Sequence, residues 1–191
     1  MRLLIMGPPG VGKGTQATEL ADHYEIPAVS SGEIFRENIK NETPLGKQVA
    51  ALIAAGDFVP DDVTTELILD RLRLPDCSNG WLLDGYPRTA AQAGSLDAAM
   101  AAKGTALDAV VSLVAAPDEL VGRMLRRAEL EGRADDNEET IRHRIDVYHE
   151  ETEELLDLYR QRGLIVEVDA IGEIADVRQR LTAALDAKLA R

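Results

Sequence analysis

The sequence of 191 residues predicts a three-layer α/β fold, in which helices cover both faces of a five-stranded parallel sheet. Two observations lead to this prediction. Five short apolar segments alternate with segments of helical pattern, and a glycine-rich loop follows the first apolar segment directly. Ligands of such sheets bind beyond the carboxyl ends of the strands, so we expect a functional site at that edge.

The strands are predicted from short apolar runs that lie between polar or glycine-rich segments. They are expected at residues 3–6, 27–30, 81–84, 109–114 and 164–168. Helical spacing of apolar side chains predicts the helices between them. These are expected at about 13–24, 31–40, 46–55, 61–73, 90–102, 117–127, 136–162 and 174–188.

Helix boundaries are predicted from residues that favour or interrupt helices. Pro117 suits the first turn of a helix. Residues 128–136 are polar and are predicted as a loop. Asp136 and Glu139 resemble a capping box that begins the next helix, and Gly163 is expected to end that helix.

A phosphate-binding loop, or P-loop, is predicted at the end of the first strand. Residues 7–15 read Gly-Pro-Pro-Gly-Val-Gly-Lys-Gly-Thr, which fits the G-x-x-x-x-G-K core with Gly14 in place of the usual hydroxyl residue. Glycines let backbone N–H groups approach a phosphate, and the following helix directs its positive end there. Lys13 adds a cation, and Thr15 offers a hydroxyl towards magnesium. A plain glycine-rich turn is the alternative, but the lysine and the preceding strand favour phosphate binding.

The charge distribution excludes some partners and predicts others. The net charge is −13, which repels nucleic acid and anionic membranes. An anionic substrate therefore needs a local group of cations, and residues 119–144 contain one. Its members are Arg123, Arg126, Arg127, Arg133, Arg142 and Arg144. We expect Arg126 and Arg142 to be surface residues with partners on their own helices.

Cysteine usage and the N-terminus predict a cytoplasmic protein without structural zinc. Cys77 is the only cysteine, which excludes an intramolecular disulfide and a cysteine-cluster zinc site. The three histidines share no metal-ligand spacing. We expect no signal peptide, because Met1 and Arg2 lead directly into a strand and the P-loop, and no segment is apolar enough to span a bilayer.

A carboxylate and an arginine follow the third strand. Asp84 at the strand end is placed to orient magnesium through its bound water, beside the P-loop. Arg88 offers a planar fork that can hold phosphoryl oxygens in bidentate fashion. The alternatives are an ordinary turn residue for Asp84 and a structural salt bridge for Arg88.

The motifs together resemble the adenylate kinases of the nucleoside monophosphate kinase family. Five segments carry this resemblance in order along the chain: 7–16, 30–36, 56–60, 83–88 with Gln92, and 132–141 with Arg144. It implies the reversible reaction ATP + AMP to two ADP with Mg²⁺, which maintains adenine nucleotide balance, in a monomer. It also implies the strand order 2-3-1-4-5. One P-loop kinase domain, 1–191, would carry an AMP-binding insertion at about 30–59 and a short lid at about 127–137.

The resemblance implies roles for single residues by their positions in these motifs. The ATP-binding residues would be Gly10, Val11, Gly12, Lys13, Gly14, Thr15, Arg123, Arg127 and Gly172. The AMP-binding residues would be Ser31, Arg36, Asp57, Phe58, Val59, Gly85, Tyr86, Pro87, Arg88, Gln92, Arg133 and Arg144. The catalytic residues would be Lys13, Arg88, Arg127, Arg133 and Arg144. Gln92 would read the adenine edge of AMP, and Asp135 and Asp136 would be lid carboxylates.

Three other functions compete with this interpretation. A UMP/CMP kinase of the same family tends to have Ala and Asn at positions 31 and 92, whereas this chain has Ser31 and Gln92. A GTPase switch needs an N-K-x-D guanine motif, which the sequence lacks. An inactive nucleotide-binding scaffold would not need the retained cations, which include Lys13 and Arg88.

Overall fold

A five-stranded, all-parallel sheet forms the centre of the molecule. The computed structural model describes residues 1–131 and 137–190. The strands are β1 (Arg2–Met6), β2 (Ala28–Ser30), β3 (Trp81–Asp84), β4 (Ala109–Val114) and β5 (Ile165–Asp169). They pair in the order β2-β3-β1-β4-β5. Both the predicted fold class and the predicted strand order are confirmed.

Helices connect the strands and cover both faces of the sheet. The first five α-helices are α1 (Lys13–Tyr24), α2 (Ser31–Lys40), α3 (Pro44–Ala55), α4 (Asp61–Arg71) and α5 (Ala90–Ala101). The later ones are α6 (Pro117–Glu131), α7 (Glu138–Val147), α8 (Glu153–Gln161) and α9 (Ile174–Leu189). A short 3₁₀ turn occupies Pro75–Cys77. None of the helices in the described ranges is long and apolar enough to cross a membrane.

The two faces of the sheet build two separate apolar cores. Leu3 and Ile5 of β1 point to one face and pack in a cluster with residues of α1 and α9. Leu4 and Met6 point to the other face and pack in a cluster with residues of α4, α5 and α8. This alternation follows from the two-residue period of a strand. A strand buried on both faces reads as a continuous apolar run, which is the signal that the sequence carries.

A third, smaller apolar cluster lies outside the sheet. Phe35 of α2, Val49 of α3 and Val59 form it, and all three are buried. The α7 helix rests against the end of α3, since a Cβ atom on Gly56 would lie 2.8 Å from Arg144 Cγ. The 31–59 segment therefore has packing of its own and also contacts α7.

Two predicted helix boundaries are wrong. Residues 128–131 continue α6 rather than forming a loop, because Ala, Glu and Leu are strong helix formers. The predicted helix 136–162 is divided into α7 and α8 by a π-helical segment, Tyr148–Thr152. Asp136 lies outside the described residues, and Asn137 caps α7 by accepting from the Thr140 N–H. The predicted end at Gly163 is confirmed, since this residue has φ +67° directly after the last turn.

Candidate active site

A cleft of about 390 Å³ lies beyond the carboxyl ends of β1 and β3. Many of the predicted site residues line it together. They are Gly10, Gly12, Lys13, Gly14, Thr15, Arg36, Phe58, Asp84, Gly85, Pro87, Arg88, Arg123, Arg127 and Arg144. Several others do not line it. They are Val11, Ser31, Asp57, Val59, Tyr86, Gln92 and Gly172. Arg133 and Asp135 lie outside the described residues, so the structure does not place them.

The P-loop is anchored in the core below it. The Val11 side chain is buried in the cluster with Leu3 and Ile5, so only its backbone can meet a ligand. Gly10 has φ +83°, and a Cβ atom there would lie 2.7 Å from Leu120 O and 2.8 Å from Met124 Cγ. No other residue fits this position, which explains the glycine. The loop ends at Gly12, and α1 begins at the next residue. The N-terminus of α1 therefore points towards the cleft.

Lys13 is held by the loop that it follows. Its Nζ donates to Gly7 O at 2.7 Å and to Pro8 O at 3.0 Å. Burial lowers the pKa of Lys13 to about 8, and the nearby Asp84 carboxylate opposes this shift. Three arginines lower the pKa further: Arg88, Arg144 and Arg127. Burial is thus the main reason why the charged form of Lys13 is disfavoured, and the cations of the cleft add to it.

The Arg88 side chain crosses the cleft at the end of β3. Its Nε donates to Gly85 O at 2.8 Å, and its guanidinium lies 5.1 Å from the centre of the Phe58 ring. Burial lowers the pKa of Arg88, Asp84 opposes this, and Arg36 adds to the lowering. The guanidinium is therefore fixed at one nitrogen and stacked on a ring.

The Arg88 backbone is held by two side chains from other elements. Its N–H donates to Gln92 Oε1 at 2.8 Å, and its carbonyl accepts from Thr152 Oγ1 at 3.0 Å. Gln92 is 2% exposed, and its Nε2 donates to Asp61 Oδ1 at 2.6 Å. Asp61 also accepts from Thr89 Oγ1 at 2.8 Å. The Gln92 amide, which the sequence suggested as an adenine reader, is thus occupied at both ends in this structure.

Two oxygen groups in the cleft suit a magnesium ion. Asp84 presents a carboxylate whose Oδ2 accepts from Ser30 Oγ at 3.4 Å, and Thr15 presents an exposed hydroxyl. Magnesium prefers oxygen ligands and keeps several waters, so this sparse oxygen set fits that ion. Within the described residues, no group of three or more His, Cys, Asp or Glu side chains could hold a metal.

One side of the cleft is bounded by α6 and the loop after β5. Arg123 of α6 lines the cleft, and its Nη1 donates to Ala170 O at 3.1 Å. Gln16 of α1 donates from Nε2 to Ile174 O at 3.1 Å. These two bonds hold the ends of the loop that contains Gly172, which itself is exposed outside the cleft.

Several of the residues that the resemblance implies for AMP binding have side chains that make structural contacts. Ser31 donates to Gly85 O at 2.8 Å, and Val59 belongs to the small third cluster. The Tyr86 hydroxyl lies 3.1 Å from Gln92 O and is buried. Asp57 Oδ1 lies 2.7 Å from His143 Nε2.

The surface arginines behave differently from those of the cleft. Arg142 pairs with Glu138 one turn away at 2.9 Å, as expected. Arg126 is exposed. Arg127 and Arg144, from α6 and α7, both line the cleft. The arrangement brings several cations to the P-loop in a chain whose net charge is −13.

Comparison with known proteins decides the family. A family model described as adenylate kinase matches residues 5–164. The chain belongs to the adenylate kinase family. An adenylate kinase of Clavibacter michiganensis subsp. michiganensis is 56% identical over 184 residues, which cover 96% of this chain and 92% of the relative. One of Nocardioides sp. is 53% identical over 186 residues, with 97% of each chain covered. One of Bifidobacterium longum is 52% identical over 186 residues, which cover 97% and 100%.

Two residues that support Arg88 in this adenylate kinase family member were not identified from the sequence. Thr152 contacts Arg88 directly, and Asp61 supports it through Gln92. Thr152 lies in line with Tyr148, Leu155 and Tyr159, which are all buried at helical spacing. A threonine on such a buried stripe needs a hydrogen-bond partner, so its position was a usable signal. Asp61 gave no such signal, because nothing in the sequence links it to Gln92.

Proposed function

We propose that this chain catalyses the reversible transfer of a phosphoryl group from ATP to AMP, giving two ADP, in the cleft beyond β1 and β3. One observation carries the proposal: Lys13 of the P-loop faces the same cleft as Arg88, Arg127 and Arg144 from three other elements. Two nucleotides with facing phosphates repel each other strongly. A ring of cations from separate elements is what such a pair requires.

The two nucleotides would occupy opposite sides of this cleft. The ATP phosphates would lie on the P-loop, where residues 10–15 direct backbone N–H groups and the α1 N-terminus at them. The AMP phosphate would lie near Arg36 and Arg88, which face the cleft beside Phe58. The γ-phosphoryl group would then lie between the P-loop and the pair Arg36 and Arg88, in line with an oxygen of the AMP phosphate.

In the transfer, the bond from the γ-phosphorus to the β–γ bridging oxygen breaks, and a bond to an AMP phosphate oxygen forms. Neither step requires a covalent enzyme intermediate or a general base. The side chains act by position and charge: Lys13 on the ATP phosphates, Arg88 on the AMP phosphate and Arg144 between them. Guanidinium groups suit this role because they stay charged and present rigid forks. Arg133, outside the described residues, is proposed for the same group by its motif.

Magnesium is part of the proposal. When bound with ATP, it would neutralise charge on the phosphates and leave the attacking oxygen less repelled. Asp84, through water, and the Thr15 hydroxyl would hold it, since both offer oxygen to the P-loop end of the cleft. With magnesium bound, the side chains of Lys13, Arg88 and Arg144 would keep the roles described above.

The division of the chain into parts is also a proposal. Residues of about 30–59 would form an AMP-binding insertion, which the separate cluster of Phe35, Val49 and Val59 supports. Residues of about 127–137 would form the short lid. We also propose a monomer, as expected from the family resemblance. We place it in the cytoplasm, where its adenine nucleotide substrates occur.

A panel of monophosphates tests this function directly. Each of AMP, CMP and UMP is incubated with ATP and Mg²⁺, and diphosphate formation is measured by chromatography. We expect the highest kcat/KM with AMP. Higher values with CMP or UMP would favour the pyrimidine kinases of the same family, and ATP hydrolysis without transfer would contradict a kinase function.

A further inference from the structure

Thr152 connects two parts of the chain that are distant in sequence. It lies at the last position of the π-helical segment Tyr148–Thr152, and it is 6% exposed. Its Oγ1 donates to the carbonyl of Arg88 at 3.0 Å, across 64 positions of sequence. Both Thr152 and Tyr148 line the cleft beside Arg88.

The π-helical segment explains how this contact is made. It joins α7, which carries Arg144, to α8, which is anchored by Leu155 and Tyr159 in the core. An extra residue in a helical turn shifts the side chains that precede it relative to those that follow it, and such segments are frequent at functional sites. Here the shift occurs between Arg144 and the anchored α8, with Thr152 at the junction.

The Arg88 backbone is held on both sides of its Cα atom. Gln92 accepts from its N–H, and Thr152 donates to its carbonyl. The Arg88 Nε in turn donates to Gly85 O at 2.8 Å. These bonds fix the Arg88 backbone and therefore the point from which its side chain extends. A change at Thr152 is thus expected to alter the position of the guanidinium.

We propose that Thr152 is a positioning residue for Arg88, which sets the Arg88 guanidinium relative to Arg144 for phosphoryl transfer. This inference rests on the proposed function and specifies how the same site is ordered. Phosphoryl transfer depends on placing charges accurately, and misplacement by about 1 Å can cost about 100-fold in rate. A single buried hydrogen bond that fixes an arginine is therefore expected to matter for turnover.

A matched pair of variants separates the hydroxyl from the packing. Thr152→Val keeps the shape and removes the donor, whereas Thr152→Ser keeps the donor and removes a methyl group. We expect Thr152→Val to lower kcat/KM for AMP about fivefold to tenfold, the usual size for one hydrogen bond. Thr152→Ser should stay within about twofold of wild type, and the KM for ATP should change little in both. Equal loss in both variants would overturn the inference.

A double-variant cycle tests whether Thr152 acts through Arg88. In an Arg88→Ala background, Thr152→Val should lower activity no further, because the side chain being positioned is absent. Fully additive losses would contradict the inference. Thr182→Val serves as control, since Thr182 donates to Arg178 O within α9, away from the cleft, and should leave activity unchanged.

A readout without turnover separates this inference from the proposed function. The ¹⁵N NMR signal of the Arg88 Nε–H, which donates to Gly85 O, should shift in Thr152→Val and stay near its wild-type position in Thr152→Ser. Thr152→Ala, which also lacks the hydroxyl, gives the same test if the valine variant does not fold. An unshifted signal overturns the inference, whereas failure of the wild-type protein to make ADP from ATP and AMP overturns the proposed function alone.

Discussion

The lowered pKa of Lys13 makes nucleotide binding dependent on pH. With a pKa of about 8, the free lysine is about half charged at pH 8 and about one-tenth charged at pH 9. Phosphates stabilise the ammonium form, so a bound nucleotide raises this pKa well above 9. Binding at pH 9 then takes up a proton, and the affinity falls as pH rises.

The size of the effect follows from these fractions. Proton uptake on binding should be about 0.5 at pH 8 and about 0.9 at pH 9. The affinity for ATP should fall about fivefold between these pH values, since the charged fraction of free Lys13 falls by that factor. The phosphates of ATP are fully ionised throughout this range and add no change of their own.

Calorimetric titration with ATP, in buffers of different ionisation enthalpy, measures both quantities. The control is Lys13→Arg, whose guanidinium stays charged at these pH values. This variant should take up no proton and should bind ATP with an affinity independent of pH from 8 to 9. An uptake near zero in the wild-type protein, or equal uptake in both proteins, would refute the reasoning.

Three further predictions follow. Lys13→Met should raise the free energy of unfolding at pH 7 by about 3 kcal/mol in urea titrations, the equivalent of a lysine pKa lowered from 10.5 to about 8. This gain should vanish as pH rises from 8 to 10.5, because the lysine is then neutral in both the folded and the unfolded chain. A gain that is constant with pH would contradict the prediction. Arg88→Ala should lower kcat on the order of 10³-fold, while Arg142→Ala, at an exposed position, should stay within about twofold of wild type in the same assay. Similar losses in both variants would contradict the role of Arg88 in phosphoryl transfer. Asp61→Ala should raise the KM for AMP about threefold to tenfold and leave the KM for ATP unchanged, because the buried Gln92 amide loses its acceptor. Its neighbour variant Asp62→Ala should change neither constant.

The sheet was predictable from sequence because its signals are local. Each strand is a short apolar run, and β1 is followed by a motif that admits few interpretations. The order of the strands came from the family resemblance, since no local pattern specifies which strands are neighbours. The cations of the cleft were identified from the motifs that contain them and from the group of arginines in the sequence.

The contacts around Arg88 could not be predicted, because they join elements that are far apart in the chain. Gln92 was identified as a site residue, but its bond to Asp61 across 31 positions is a tertiary contact. The π-helical segment that ends at Thr152 was missed for another reason. Apolar residues continue at helical spacing through it, so the pattern of Tyr148, Leu155 and Tyr159 is the same with or without the extra residue.

The packing of the P-loop against the core has a consequence for protein engineering. Gly10 lies against Leu120 and Met124, and the Val11 side chain is part of the central core. The surface that receives the substrate and the interior that sustains the folded state therefore share the same atoms. A larger side chain at position 124, introduced in a screen for heat resistance, would push the loop out of place, so thermostable variants from such a screen should mostly carry their changes elsewhere.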